Sequence, residues 1–89
     1  MKLEETTVED LLARLRRIEG QIGGIMRMIE SGRECRDVVR QVSAASKALD
    51  QVGFKILASN LRHCVRNERA ARRAGYTEEE LEKLFLQLA

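Results

Sequence analysis

Eighty-nine residues make one domain, residues 1–89, too short to bury a generous core alone. The chain is 44% hydrophobic and 34% charged, with no Pro or Trp, one Tyr and two Phe, a balance that suits long amphipathic helices completing their core by oligomerisation. A net charge of +2 selects no function class, and with no long apolar run to act as a signal peptide or membrane span, a cytoplasmic location and no membrane partner are expected.

In chain order, Thr6-Thr7-Val8-Glu9 has the form of a capping box, Thr6 as N-cap and Glu9 reaching back. Val8, Leu11, Leu15, Ile18, Ile22, Ile25 and Ile29 then recur at spacings of three and four, which predicts a coiled-coil-like helix through about Glu30. Leu12 and Met26 widen the stripe enough for more than one neighbour. Ser31-Gly32-Arg33-Glu34 reads as a turn and a second capping box with Ser31 as N-cap. One longer helix is predicted from there to about Arg73, its seam running through Val38, Val42, Ala45, Leu49, Val52 and Ile56 and drifting by one residue to Asn60 and Cys64. Residues 66–73 are polar and basic, Gly75 is a helix stop, and Thr77 with Glu80 opens a short amphipathic helix carrying Leu81, Leu84, Phe85 and Leu88. The fold class is therefore all-α with three helices: long, longer, short. Residues 77–89 hold four Glu and one Lys, so the body before them carries +5, which is compatible with a nucleic-acid partner without requiring one.

Cys35 and Cys64 sit near the two ends of that second helix. At about 100° per residue, 29 steps return the second thiol to within about 20° of the first, yet about 43 Å along the axis. Two such thiols do not meet within one chain. If two copies pair antiparallel, Cys35 of one faces Cys64 of the other, twice by symmetry. In a reducing compartment the pair reads as reactive or metal-ligating; the alternatives are two small buried hydrophobes or an intermolecular structural disulfide. The helix start at Cys35, with Arg33 and Arg36 nearby, should favour the thiolate.

Two stretches resemble a known family. Leu15-Arg16-Arg17-Ile18-Glu19-Gly20-Gln21-Ile22-Gly23-Gly24-Ile25 is similar to the first-helix signature of the CsoR-type (copper-sensitive operon repressor) transcriptional repressors, and Cys35-Arg36-Asp37-Val38-Val39-Arg40-Gln41-Val42-Ser43-Ala44 to the start of their second helix. The resemblance implies an all-α homodimer built as an antiparallel four-helix bundle, paired into a homotetramer. It also implies a repressor that releases double-stranded operator DNA when an effector occupies an intersubunit site. Copper sensors of the family carry His four residues before the second Cys; here that residue is Asn60, a hard oxygen donor poorly suited to Cu(I). His63, one residue before Cys64, points about 100° away, and its role is left open. Two thiols without the nitrogen ligand resemble the family's persulfide-sensing, CstR-type branch. That likeness implies that Cys35 takes sulfur from a persulfide or polysulfide and is resolved by Cys64 of the neighbour as a di-, tri- or tetrasulfide, with no cofactor and no metal. The alternative is a Cu(I)- or Zn(II)-sensing regulator using the Cys35 and Cys64 thiolates.

Arg14, Arg16 and Arg17 flank the first seam, and Arg40, Lys47 and Lys55 lie along the second helix. Singly, each reads as part of a solvated helix face; together, Arg14, Arg16, Arg17 and Lys47 resemble the family's DNA-binding face. Without a helix-turn-helix, or aromatics to stack on single strands, phosphate contacts should dominate. Glu80, where copper sensors place the acid that backs their His, is read as the capping partner of Thr77. No Gly-rich phosphate loop, carboxylate pair or catalytic His is legible, so an enzyme is not expected.

Overall fold

The computed structural model describes residue 3 and residues 5–89, the side chain of Cys64 lying outside the description. Four helices follow in order: α1 (Glu5–Glu30), α2 (Cys35–Arg66), α3 (Glu68–Arg73) and α4 (Glu78–Leu88), with no strand among the described residues. α1 and α2 form an antiparallel hairpin, Thr6 lying across from Arg62 and Gln21 across from Ala48. α4 folds back onto α2.

The heptad pattern explains which residues meet. On α1, Leu11 and Ile18, seven residues apart, are buried against Val52 of α2, with Leu3, Ala48 and Ile56 around them. The alternate seam positions, Leu15, Ile22 and Ile29, stand 37%, 48% and 61% exposed. α2 divides in the same way: Ala45 and Val52 are buried, whereas Val42 and Leu49 are about half exposed. One set of a/d positions thus closes the hairpin, and the other lies bare on its face. The molecule measures 54 × 25 × 14 Å with a radius of gyration of 16.9 Å, against about 12 Å for a compact domain of this length. A slab one helix thick has no second layer to cover that face.

The helix ends differ from the capping expectations at two of three places. α1 begins at Glu5, so Thr6 is inside the helix rather than its cap. The N-cap of α2 is Glu34, and the Ser31 hydroxyl instead donates to the Met28 carbonyl at 3.2 Å, closing α1. Gly32 supplies the left-handed residue at φ 72°, with Arg33 N–H reaching Met28 O and Gly32 N–H reaching Ile29 O, a Schellman ending that excludes a cap at Ser31. Thr77 caps α4 as expected, its Oγ1 accepting from Glu80 N–H at 3.2 Å.

The second helix also stops earlier than its pattern suggests. Asn67, at φ −144° and ψ 69°, breaks it after Arg66 and divides the predicted long helix into α2 and α3. Asn competes well with helical backbone bonding, and no large apolar side chain in 66–70 rewards a straight continuation. The break turns Ala71 inward until it is only 2% exposed. Gly75, at φ 86°, ends α3 with a second Schellman pair, Tyr76 N–H to Ala71 O and Gly75 N–H to Arg72 O. These two bends return α4 along α2. No described helix is long and apolar enough to cross a membrane.

Candidate functional site

Cys35 is the first residue of α2, a free and exposed thiol. Arg33, expected to sit beside it, pairs across the turn with Asp37 at 3.9 Å. Cys64 lies in the last turn of the same helix, and its side chain is outside the described residues. Because both belong to one unbroken α2, the axial separation of about 43 Å stands, and the two thiols of one chain do not meet.

One turn before Cys64, Asn60 is only 8% exposed, with Ser59 beside it at 7%. Asn60 falls within about 20° around the helix of Gly53, where α4 meets α2. There α4 is seated by Leu88 against Gly53 and by Phe85 against Phe54, ring centroids 5.6 Å apart. An open apolar groove lined by Leu57, Leu61, Leu81 and Phe85 continues the contact, with Glu78 and Glu82 at its edge. His63 is half-buried, and its carbonyl accepts the Asn67 N–H. Glu80 is exposed, its backbone N–H taken by Thr77. Among the described residues, no three of His, Cys, Asp and Glu converge on one point within a chain. Asn60 brings only an amide, a hard oxygen donor poorly suited to a soft metal.

The four basic residues singled out in the sequence do not share one face. Arg14 and Arg17 line a cleft between α1 and α2 together with Gln21 and Gln51. Arg16 lines the cleft on the other side, among Leu12, Leu15, Ile22 and Leu49. Ile18 borders both clefts and therefore marks the divide between a polar and an apolar face. Lys47 is exposed on α2, one turn before Gln51. Spacing alone missed this division: the seam says which residues face inward, but α1 has two flanks and only the position of α2 tells them apart.

The structure is thus an all-α helical hairpin with an incomplete core and a cysteine near each end of its longer helix. The chain belongs to the metal-sensitive transcriptional repressor family, whose sequence pattern matches residues 7–87. It is 52% identical over 52 residues to the copper-sensing transcriptional repressor RicR of Mycobacterium tuberculosis, covering 58% of this chain and 54% of the relative. To the copper-sensing transcriptional repressor CsoR of Bacillus subtilis it is 40% identical over 57 residues, 64% of this chain and 56% of the relative. The chain thus spans a little over half the length of these two relatives. Among solved structures, the Cu(I)-bound CsoR of Geobacillus thermodenitrificans superposes with a TM-score of 0.73 at 38% identity, over 94% of this chain and 84% of that one. The nickel-responsive transcriptional regulator InrS superposes at 0.74 and 33% identity, over 100% and 98%. The resemblance carried by residues 15–25 and 35–44 is borne out at the level of the family, whose members named here are repressors and regulators, not enzymes.

Proposed function

We propose that the protein is a DNA-binding transcriptional repressor whose effectors are reactive sulfur species acting on Cys35 and the Cys64 of a partner chain. The bare apolar face of the hairpin supports a second copy as its cover, giving an antiparallel four-helix dimer and, by pairing of dimers, a homotetramer. In that arrangement each end of the bundle carries one Cys35 and one Cys64.

The observation that carries the sulfur reading is Asn60: a position 8% exposed, one turn from Cys64, holds an amide where a copper site of this family has an imidazole. An exposed thiol at the first residue of a helix suits attack on a small soluble persulfide. The Cys35 thiolate attacks the sulfane sulfur of RSSH, an S–S bond forms, and RSH leaves. The Cys64 thiolate of the partner then attacks Cys35 Sγ, closing a disulfide and expelling the added sulfur as hydrogen sulfide. In sum, two thiols and one persulfide give one disulfide, one thiol and one hydrogen sulfide. A second persulfide loading Cys64 in the same way leaves a trisulfide; where a polysulfide has left Cys35 as a hydrotrisulfide, attack of the Cys64 persulfide on its middle sulfur closes a tetrasulfide and again expels hydrogen sulfide. A second reading, Cu(I) or Zn(II) bound by the two thiolates, is favoured by the copper-sensing relatives.

The deciding experiment is fluorescence anisotropy of an operator duplex with reduced protein under anaerobic conditions, challenged separately with glutathione persulfide and with Cu(I). Release by the persulfide alone, reversed by a thiol reductant and lost in Cys35→Ala although that variant still binds DNA, is the expected result. Release by Cu(I) alone would overturn the sulfur reading.

A further inference from the structure

The groove between α2 and α4 is left over from everything the hairpin explains. Leu61, on its floor, is nine residues from Val52, about 180° round the helix, so this side of α2 looks away from α1 and its core. Phe54, Leu57 and Leu61 supply one wall and Leu81 and Phe85 the other. Phe54 to Leu61 is two helical turns, about 11 Å. The cavity holds about 690 Å³, within the range of sites that take small organic molecules. Leu61 and Phe85 stand half or more exposed along it, and the Phe54 and Phe85 rings meet at a tilt of 54°.

The polar residues on this groove are all of one sign. Glu78, Glu79 and Glu82 are its only polar lining residues, and none of the three is in an ion pair among the described residues. A place in the first turn of α4 suits Glu78 and Glu79 to the helix dipole. Glu82 lies a turn further on, beyond the reach of that effect, yet borders the same cavity. The cations of α2 are kept apart from these acids. Ala58 borders both this groove and the cleft that holds Lys55 and Arg62, so it divides an acidic side of the helix from a basic one. An apolar floor with two aromatic rings and a rim of unpaired carboxylates is complementary to a positive charge carried on a hydrophobic body. A second copy laid on the groove about a two-fold axis would instead bring three carboxylates towards the same three.

We propose that the α2–α4 groove is a binding site for a hydrophobic organic cation, a quaternary ammonium or phosphonium ion or a protonated amine bearing aryl or alkyl groups. The apolar body rests on Leu57, Leu61 and Phe85, and the charge lies toward Glu78, Glu79 and Glu82. The site is separate from Cys35 and from the bare face of the hairpin, and it stands whichever effector the thiols serve.

The test uses two ions of nearly equal size and shape and opposite charge, tetraphenylphosphonium and tetraphenylborate, titrated into the full chain by isothermal calorimetry. The phosphonium should bind at least about tenfold more tightly than the borate. Glu78→Gln/Glu79→Gln/Glu82→Gln should weaken the phosphonium by about tenfold and abolish the preference, as expected for three solvent-exposed charges acting together. Leu61→Gln, at an exposed position, should weaken it by a similar factor with helical circular dichroism unchanged. Equal affinity for the two ions, or a triple variant that binds the phosphonium as the wild type does, would overturn the proposal. So would a wild-type chain that binds neither ion; a fall in assembly mass on Leu61→Gln would then identify a second copy as the cover of the groove.

Discussion

A Cβ built on Gly53 falls 2.6 Å from Leu88 Cδ2 and 2.9 Å from Cδ1, so Gly53→Ala sets two effects against each other. Replacing glycine by alanine inside a helix stabilises by about 1 kcal/mol. Overfilling a packed contact costs about 1–3 kcal/mol. Leu88 is the last residue of α4, and the obstructing atoms are the tip of a flexible side chain, so the lower end of that range applies. The net change should lie within about 1 kcal/mol of zero. The informative quantity is the coupling. With Leu88→Ala already in place the obstruction is gone, and Gly53→Ala should then stabilise by the full amount of about 1 kcal/mol. Urea unfolding followed by circular dichroism gives all four corners of the cycle, at one fixed protein concentration because assembly contributes to stability. A coupling energy of about 1–2 kcal/mol is expected. An identical effect of Gly53→Ala in both backgrounds would refute the reasoning, since Leu88 could not then be what holds α4 against α2.

Ile22, 48% exposed at the middle of the bare face, should be intolerant of charge: Ile22→Glu is expected to raise the dissociation constant of the assembly by at least about 100-fold in analytical ultracentrifugation. An unchanged mass at low micromolar concentration would mean that this face is not where copies meet. Thr77→Ala removes the acceptor of the Glu80 N–H and should cost about 1 kcal/mol, visible as faster amide exchange in the first turn of α4; unaltered exchange would show that the cap contributes nothing. Asn60→His should raise Cu(I) affinity more than tenfold, measured by competition with a chromophoric chelator, while glutathione persulfide still bridges the thiols. Unaltered Cu(I) affinity would point to a third ligand already in place and favour the metal-sensing reading.

The hydrophobic seam was legible because heptad spacing survives in any context: Leu11, Ile18 and Val52 are core residues in both the sequence and the structure. The Thr77 cap and the Gly75 stop were legible because a single residue type meets each geometric demand. Thr6 and Ser31 have the same capping chemistry but lost to their neighbours. α1 already starts at Glu5, and Gly32 sets a Schellman turn that uses Ser31 to end a helix rather than start one. The break at Asn67 was hidden because its gain, burial of Ala71 and the return of α4, is tertiary. At the site, the placement of Cys35 and Cys64 on one helix was readable from periodicity. The burial of Asn60 and the split of Arg16 from Arg14 and Arg17 were not, since spacing does not say which flank of a helix another element occupies.

A slab 14 Å thick ties this protein's folding to its abundance. If a second copy covers the bare apolar face, as proposed, dilution acts as a denaturant, and every ligand that holds the assembly together also protects it from proteolysis. Copy number then becomes part of the regulatory response. On the proposed function, a cell that lets the protein become scarce would lose standing folded protomers as well as occupancy of DNA, whereas a covalent bridge between chains would keep the released form intact and ready to be reduced.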